Sequence, residues 1–508
     1  MRIAFLHPDL GLGGAERLIV DAAAGLSSRG HEITIFTSHF DPSRCFSETL
    51  TDAFHVHVAG SFLPRAVFGR LHVLFAVLRM LWLSLAVACG LGGGNTAWDV
   101  LIVDQVSACV PLLRLFTPNA RILFYAHFPD LLLAPRGNLL RKVYRAPFDA
   151  LEEISTGLAH GILVNSNFTS NTFRSTFNLL TAGGVLPSVL YPCVECGEVA
   201  VPVVPIAKAR RRKSVTPSST TSFSAGPLPI LLPPLSQITP RRILLSINRY
   251  ERKKDLAMLL RAFAATSPLP DWHLILAGGY DSRLEENVSH FNELSSLAIE
   301  LNLVGPKGWS IGTEKMHTIL EAEWPLTNKS AAPPPPPLIG SRITLLRSVS
   351  DAQKTLLLQA AAAVAYTPRN EHFGIVPLEC MAAWRPIIAS STGGPLESVV
   401  DGSTGILSDG LQGWRDALEC MMKKTDIERA RMGAAGAKHV AEKFSRKTFA
   451  VALEGFSYSL LDTTKTTSQF RFHPRAVWLD GVLWMSLLGL LFLGPVSLFY
   501  LYNILSSK

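Results

Sequence analysis

Short apolar runs recur along this chain, and each leads into a turn and then into a stretch with helical spacing. Ile3–His7 is followed by the turn Pro8–Gly14, by Ala15–Leu26 with apolar residues at helical intervals, and by a second run, Glu32–Thr37. Trp98–Asp104, Ala120–Tyr125 and His160–Ser166 continue the alternation. Arg242–Ser246, Trp272–Ala277, Ile343–Leu346, Ala361–Pro368 and Ile387–Ala389 take it up again. Parallel strands need a helical crossover, and strands buried on both faces read as unbroken apolar runs. The fold class is therefore α/β, with parallel sheets covered by helices.

Two interruptions divide the pattern. Val199–Tyr250 contains no acidic residue, is rich in Ser, Thr and Pro, and carries Lys208-Ala209-Arg210-Arg211-Arg212-Lys213. It reads as a disordered basic insertion, either a solvated linker or a contact for anionic lipid headgroups. A second stretch, between Gly305 and Gly340, holds the five consecutive prolines Pro333–Pro337 and reads as a surface loop. With 508 residues there is room for two or three domains. The division is residues 1–195, a linker insertion at 196–241, residues 242–455 with a loop insertion at 305–341, and a membrane anchor at 477–505.

That anchor follows from the absence of charge between Gly481 and Leu505, a length sufficient to cross a bilayer or, bent at Gly494-Pro495, to form a re-entrant hairpin. Arg471 and Arg475 precede it, against Lys508 after it, so the positive-inside rule keeps the body of the chain cytosolic. The sequons at Asn167, Asn287 and Asn328 would then stay unmodified. Leu71–Leu91 is also apolar, around Arg79. A crossing there would put strands of one sheet on opposite sides of a bilayer. It is expected to pack on the sheet or to lie in the membrane interface, with Arg79 snorkelling.

The net charge of +8 favours anionic partners: a sugar nucleotide, a lipid pyrophosphate or an anionic membrane. No basic helix or aromatic stacking motif supports nucleic acid. Seven cysteines without a framework of spacings suggest reduced thiols, and the isolated Cys193/Cys196 pair lacks the second half of a zinc site. Met1-Arg2 runs straight into the first strand, with no signal peptide ahead of it.

Several polar positions stand at the ends of the apolar runs. Glu371 and Glu379 are separated by a loop and by Pro377, and Leu378–Ala383 reads as a helix start with Glu379 in its first turn. Such a helix end suits a phosphate, and a glutamate there otherwise only complements the dipole. His127 follows the run Ile122–Tyr125, on the ligand side of a parallel sheet, with no serine or acid evident beside it. Arg249 and Lys254 follow Arg242–Ser246; the guanidinium can fork two phosphate oxygens and the ammonium adds a mobile charge. Gly13 and Gly14, in a turn with Gly11, would let the backbone approach a phosphate or sugar. This turn is no dinucleotide fingerprint: Glu16 stands where a third glycine is needed, and Thr37-Ser38 where an acid is expected. Gly393 and Gly394 in "SSTGGPLES" offer backbone amides to a phosphate, whereas Glu397 reads as structural.

Taken together, "EHFGIVPLE", "SSTGGPLES", "GLGGAE", "YAHFPD", "INRYERKKDL" and "LAGGYD" resemble the motifs of the retaining family-4 glycosyltransferases, in their mannosyltransferase branch. The resemblance covers most of residues 1–195 and 242–455. It implies a GT-B architecture, two Rossmann-like domains facing a cleft, the first on the acceptor side and the second on the donor side. It implies mannose transfer from GDP-mannose to a dolichyl-pyrophosphate-linked Man-GlcNAc2 acceptor, α-1,3 and then α-1,6, on the cytosolic face of the endoplasmic reticulum membrane, beside other lipid-linked oligosaccharide transferases. No metal or other cofactor is implied. Arg249 and Lys254 would clamp the donor diphosphate, with Gly13 and Gly14 also on the donor. Glu379 would hold the ribose, Glu371 and the backbone of Phe373-Gly374-Ile375 the mannose, and His127 would reach the donor sugar from the other domain. Two alternatives stay open: an N-acetylglucosaminyltransferase acting on phosphatidylinositol, and a non-catalytic membrane scaffold.

Overall fold

The computed structural model describes residues 1–66, 71–90, 97–133, 139–196, 242–266, 272–304 and 342–462. The insertion at 197–241, the Pro-rich stretch 305–341 and the anchor expected at 477–505 lie outside the described residues. The apolar runs form two wholly parallel sheets. The first holds β1 (Arg2–His7), β2 (Glu32–Thr37), β3 (His55–Val58), β4 (Val100–Asp104), β5 (Arg121–Ala126), β6 (Gly161–Val164) and β7 (Ser188–Val189), in the order β3-β2-β1-β4-β5-β6-β7. The second holds β8 (Arg242–Ile247), β9 (Trp272–Gly278), β10 (Ile343–Arg347), β11 (Ala361–Tyr366), β12 (Ile387–Ser390) and β13 (Gly405–Ser408), in the order β10-β9-β8-β11-β12-β13.

In each sheet the strand order reverses direction beside the first strand, which opens a crevice at the carboxyl ends where ligands bind in such folds. Both faces of each sheet are buried. Ile3 and Phe5 pack on one side of the first sheet, Ala4 and Leu6 on the other. Leu244 and Leu276 against Leu245 and Ile275 do the same in the second. That double burial is why these strands are apolar without alternation.

The apolar segment after Leu71 is the helix His72–Ala88, packed on the first sheet through Met80, Leu83 and Val87. Arg79 does not snorkel to an interface. It is 5 % exposed and grips Asp9, in the turn after β1, with both terminal nitrogens. A buried guanidinium needs such a bidentate partner. Among the described residues no helix is long and apolar enough to cross a membrane.

Tyr191–Val194 crosses toward the second lobe, where the Val194 amide donates to the Phe444 carbonyl. The chain then returns. Helix Arg446–Leu461 buries Phe449 and Leu453 in the core of the first lobe, so the second lobe proper ends near Phe444. Arg446 anchors this return on Asp21, which is 1 % exposed, and on Glu48. All seven cysteines are free thiols.

Candidate active site

The acidic motif leaves β11 at Tyr366 and enters the helix Ile375–Ala382. Glu371 lies in the connecting loop. The helix begins three residues before Leu378, so Glu379 sits in its second turn rather than its first. Gly374 caps the helix at φ +79, a left-handed conformation that glycine adopts freely. Phe373 turns its ring inward against Tyr191 and Phe444, which anchors the loop. The pair Gly393-Gly394 presses on that loop from β12. A Cβ on Gly394 would lie 2.1 Å from the Phe373 carbonyl oxygen, and the Gly394 amide donates to the Glu371 carbonyl at 2.8 Å. This amide shapes the acidic loop rather than pointing at a phosphate.

Each glutamate is held by a lysine. Lys254 Nζ donates to Glu371 Oε2 at 2.8 Å, and the Lys254 carbonyl accepts from Thr367 Oγ1, which ties the basic turn to the end of β11. Lys354, on the helix Asp351–Ala360, donates to Glu379 Oε1 at 2.9 Å. Burial works against the Lys354 charge, but Glu379 and then Asp351 overcome it and raise its pKa. Lys354 stands in no motif along the chain, and only the packing of its helix brings it to Glu379. Arg249 is largely exposed, with Glu251 at 3.7 Å. It and Lys254 therefore stand in one turn, one guanidinium reaching solvent and one ammonium engaged with Glu371.

On the first lobe, His127 is not without an acid. Its Nε2 lies 2.7 Å from Asp104 Oδ1, and Asp104 Oδ2 lies 2.7 Å from His7 Nδ1. His7, Asp104 and His127 stand at or just past the carboxyl ends of the adjacent strands β1, β4 and β5. Asp104 is fully buried. Burial alone would favour its neutral form, but His127 and His7 outweigh that and hold its pKa at about 2. Burial likewise opposes charge on His127, and Asp104, aided by Glu16, overcomes it and raises the imidazole pKa. The strand order brings this group together: β1 and β4 are neighbours and end in His7 and Asp104, and in a parallel sheet such ends lie side by side.

The helix Gly14–Ser27 starts at Gly13, and Glu16 folds back over it. A Cβ on Gly13 would lie 2.2 Å from Glu16 Oε2, whereas a Cβ on Gly14 would meet nothing within 4 Å. A carboxylate already covers this helix start, which favours a sugar hydroxyl there over a phosphate.

The lobes meet beside these groups. His372, next to Glu371, stacks on Phe128 at 3.6 Å between ring centres and 5° between planes. Its carbonyl accepts from Ser166 Oγ. Burial, with further help from Lys253, Lys254 and His127 against the pull of Glu371, lowers the His372 pKa to about 4, so it is neutral. Glu397 caps the helix Asn167–Thr176 of the first lobe, accepting from the amides of Asn167 and Phe168, both at 2.8 Å. Its structural role holds. A cavity of ≈ 450 Å³ opens beside His127 and His372 and runs into the first lobe between the helices His72–Ala88 and Leu139–Gly157. On its wall Glu152 accepts from the amides of Asp130 and Leu131; burial, then the Asp130 charge, pushes its pKa up to about 7 against those amides and Arg145.

The arrangement brings Glu371, Lys254, His372 and His127 to one cleft between two nucleotide-type lobes. Residues 12–181 match the family described as Glycosyltransferase Family 4, and residues 338–439 match Glycosyl transferases group 1. Over 494 residues the chain is 39 % identical to the alpha-1,3/1,6-mannosyltransferase ALG2 of Rhizomucor pusillus, covering 95 % of this chain and 96 % of that one. It is 39 % identical over 468 residues to the protein of the same name from Homo sapiens, covering 90 % and 96 %. Among solved structures it is similar to sucrose-phosphate synthase from Thermosynechococcus elongatus, with TM-score 0.61 and 15 % identity over 91 % of this chain and 99 % of that one. It is also similar to Anabaena Alr3699/HepE in complex with UDP and glucose, with TM-score 0.55 and 17 % identity over 90 % and 100 %. At such identities the structural likeness establishes the fold, the two-lobed GT-B architecture.

Proposed function

The chain belongs to the alpha-1,3/1,6-mannosyltransferases, and from that premise we propose how its cleft works in assembling the N-glycan precursor. The donor is GDP-mannose and the acceptor is Man-GlcNAc2 on dolichyl pyrophosphate, met at the cytosolic face of the endoplasmic reticulum membrane. The contact between Lys254 and Glu371 carries this reading, because it joins the basic turn and the acidic motif in one place. An incoming diphosphate competes with Glu371 for Lys254, and Arg249, which reaches solvent, forks a second phosphate. The two cations and the helix starting at Ile375 take up the charge that develops on the leaving GDP. No metal is required in this reading.

Glu371, once released, accepts hydrogen bonds from mannose hydroxyls, with the backbone of Phe373-Gly374-Ile375 beside it. Glu379, steadied by Lys354, binds the ribose. His127 reaches the donor sugar from the first lobe, near Gly13 and Gly14. The C1–O bond to phosphate breaks as the acceptor oxygen bonds to C1 on the same face, and the acceptor proton passes to the departing diphosphate, so configuration is retained. No residue is positioned by this scheme as a covalent nucleophile.

The test is incubation of the full chain in membranes with GDP-mannose and the lipid-linked trisaccharide, with linkage analysis of the products and a parallel arm in chelator. An α-1,3 and then an α-1,6 mannose, unaffected by chelation, are expected. Transfer from UDP-GlcNAc to phosphatidylinositol instead would overturn the reading. The named relatives do not favour that activity or a silent scaffold.

A further inference from the structure

Two linkages on one mannose pose a steric problem that the cavity beside His127 answers. The first transfer uses O3 of the acceptor mannose and the second uses O6. To bring O6 to the point O3 occupied, the ring must turn, and the mannose just added swings aside next to the reaction centre. It needs space in the first lobe, since the second is filled by the donor. We infer that the ≈ 450 Å³ cavity holds this first-added mannosyl branch while the second linkage is made, an inference that rests on the function proposed above.

The cavity has the position and the chemistry for a hexose. His127 and His372 both line it, so a group inside it lies within reach of an acceptor at the reaction centre. Val73 and Ala76 on one helix and Phe148 and Leu151 on the other offer apolar walls to the C–H face of a sugar. Gln105 and Asp130 offer polar atoms at the rim. Asp130 is half exposed and held by Arg145 Nη2 at 2.8 Å, so it accepts further hydrogen bonds without moving. Glu152 fixes the Asp130 amide from behind. Gln105, directly after Asp104, is held at φ +62, a left-handed conformation that costs a residue with a side chain and that clusters at functional sites.

In the second transfer the C1–phosphate bond of GDP-mannose breaks, C1 bonds to O6, and the O6 proton leaves on the diphosphate. No further reactant is needed. The cavity contributes by holding the branch so that O6 points at C1.

The experiment fills the cavity with Ala76→Trp in the full chain. GDP-mannose is supplied with either the one-mannose or the α-1,3-linked two-mannose acceptor. The first addition is expected to change by less than about two-fold. The second should fall at least about ten-fold, so that the two-mannose product accumulates. Parallel loss of both additions, or of neither, overturns the inference. If the loss vanishes with an acceptor on a short saturated lipid, the cavity holds the polyprenyl chain and the inference also fails. Should Ala76→Trp not melt cooperatively, Gln105→Ala and Asp130→Asn at the rim carry the same readout, a fall in the ratio of second to first addition. A wild-type chain that adds no mannose to either acceptor would instead break the proposed function itself.

Discussion

The two lobes hold their charges in opposite ways. In the first, His7 and Asp104 are fully buried, and both contacts of the aspartate are made within the protein. In the second, Lys254 and Glu371 are 13 % and 28 % exposed, and Lys354 and Glu379 are 26 % and 27 % exposed. A buried pair is costly to break because one partner is left as an uncompensated charge. A partly exposed pair costs less to exchange, since water and a ligand can take over each end. The first lobe therefore presets the protonation of His127 and does not release it. The second lobe keeps cations and carboxylates paired until a donor arrives to separate them.

Removing Asp104 is the severest test of this contrast. Asp104→Asn should destabilise the fold by about 3–5 kcal/mol, measured by denaturant unfolding. Its pH dependence has a defined sign. Asp104 is depressed, so its contribution is complete above about pH 3.9 and is lost as pH falls through the folded value of about 2. His127 is raised, so its contribution is complete below about pH 6.5 and is lost as pH rises through its folded value. Stability from the pair peaks between those limits in the native chain, and that maximum should flatten in Asp104→Asn. An unchanged profile would mean that the buried contact carries no charge.

Lys254→Ala should behave the other way round. Mannosyl transfer is expected to fall by about 10²–10³-fold, the usual effect of losing one preorganised group at the developing charge. The melting temperature should fall less than in Asp104→Asn, because Lys254 and Glu371 keep part of their surface in water and the carboxylate left behind stays hydrated. A large loss of stability without loss of rate would erase the distinction between the lobes. Lys354→Ala should have a smaller effect, a rise of roughly ten-fold in the KM for GDP-mannose with kcat less changed, because Glu379 loses its support but not its place on the helix.

The sequence made the architecture legible because the cause of the parallel sheets is local: each buried strand is a short apolar run with a turn after it. It also pointed to Glu371, Glu379, Arg249, Lys254 and His127, since each follows a strand or lies close to a helix start. It did not reveal what those residues touch. Asp104 partners His127 from a neighbouring strand, Arg79 partners Asp9 across the top of β1, and Lys354 reaches Glu379 from the preceding helix. Such pairs depend on strand order and on the angle at which helices cover a sheet, neither of which spacing along the chain encodes. The buried Arg79 shows the consequence: read locally it suits a membrane interface, and only the fold supplies the aspartate.

The gentlest probe lies where the lobes join. Glu397 extends from the second lobe to cap the helix Asn167–Thr176 of the first, accepting from two backbone amides and from Asn167 Nδ2. A carboxylate at a helix start contributes about 0.3–1 kcal/mol, and salt screens it. Glu397→Gln keeps the size and removes the charge. It should leave both lobes folded while weakening their closure, raising the KM for GDP-mannose by less than about five-fold. The native chain in high salt should approach the same value. If instead kcat fell and KM held, Glu397 would act on the chemistry, and the cleft side of the second lobe would hold a fixed charge of the kind seen at Asp104 in the first.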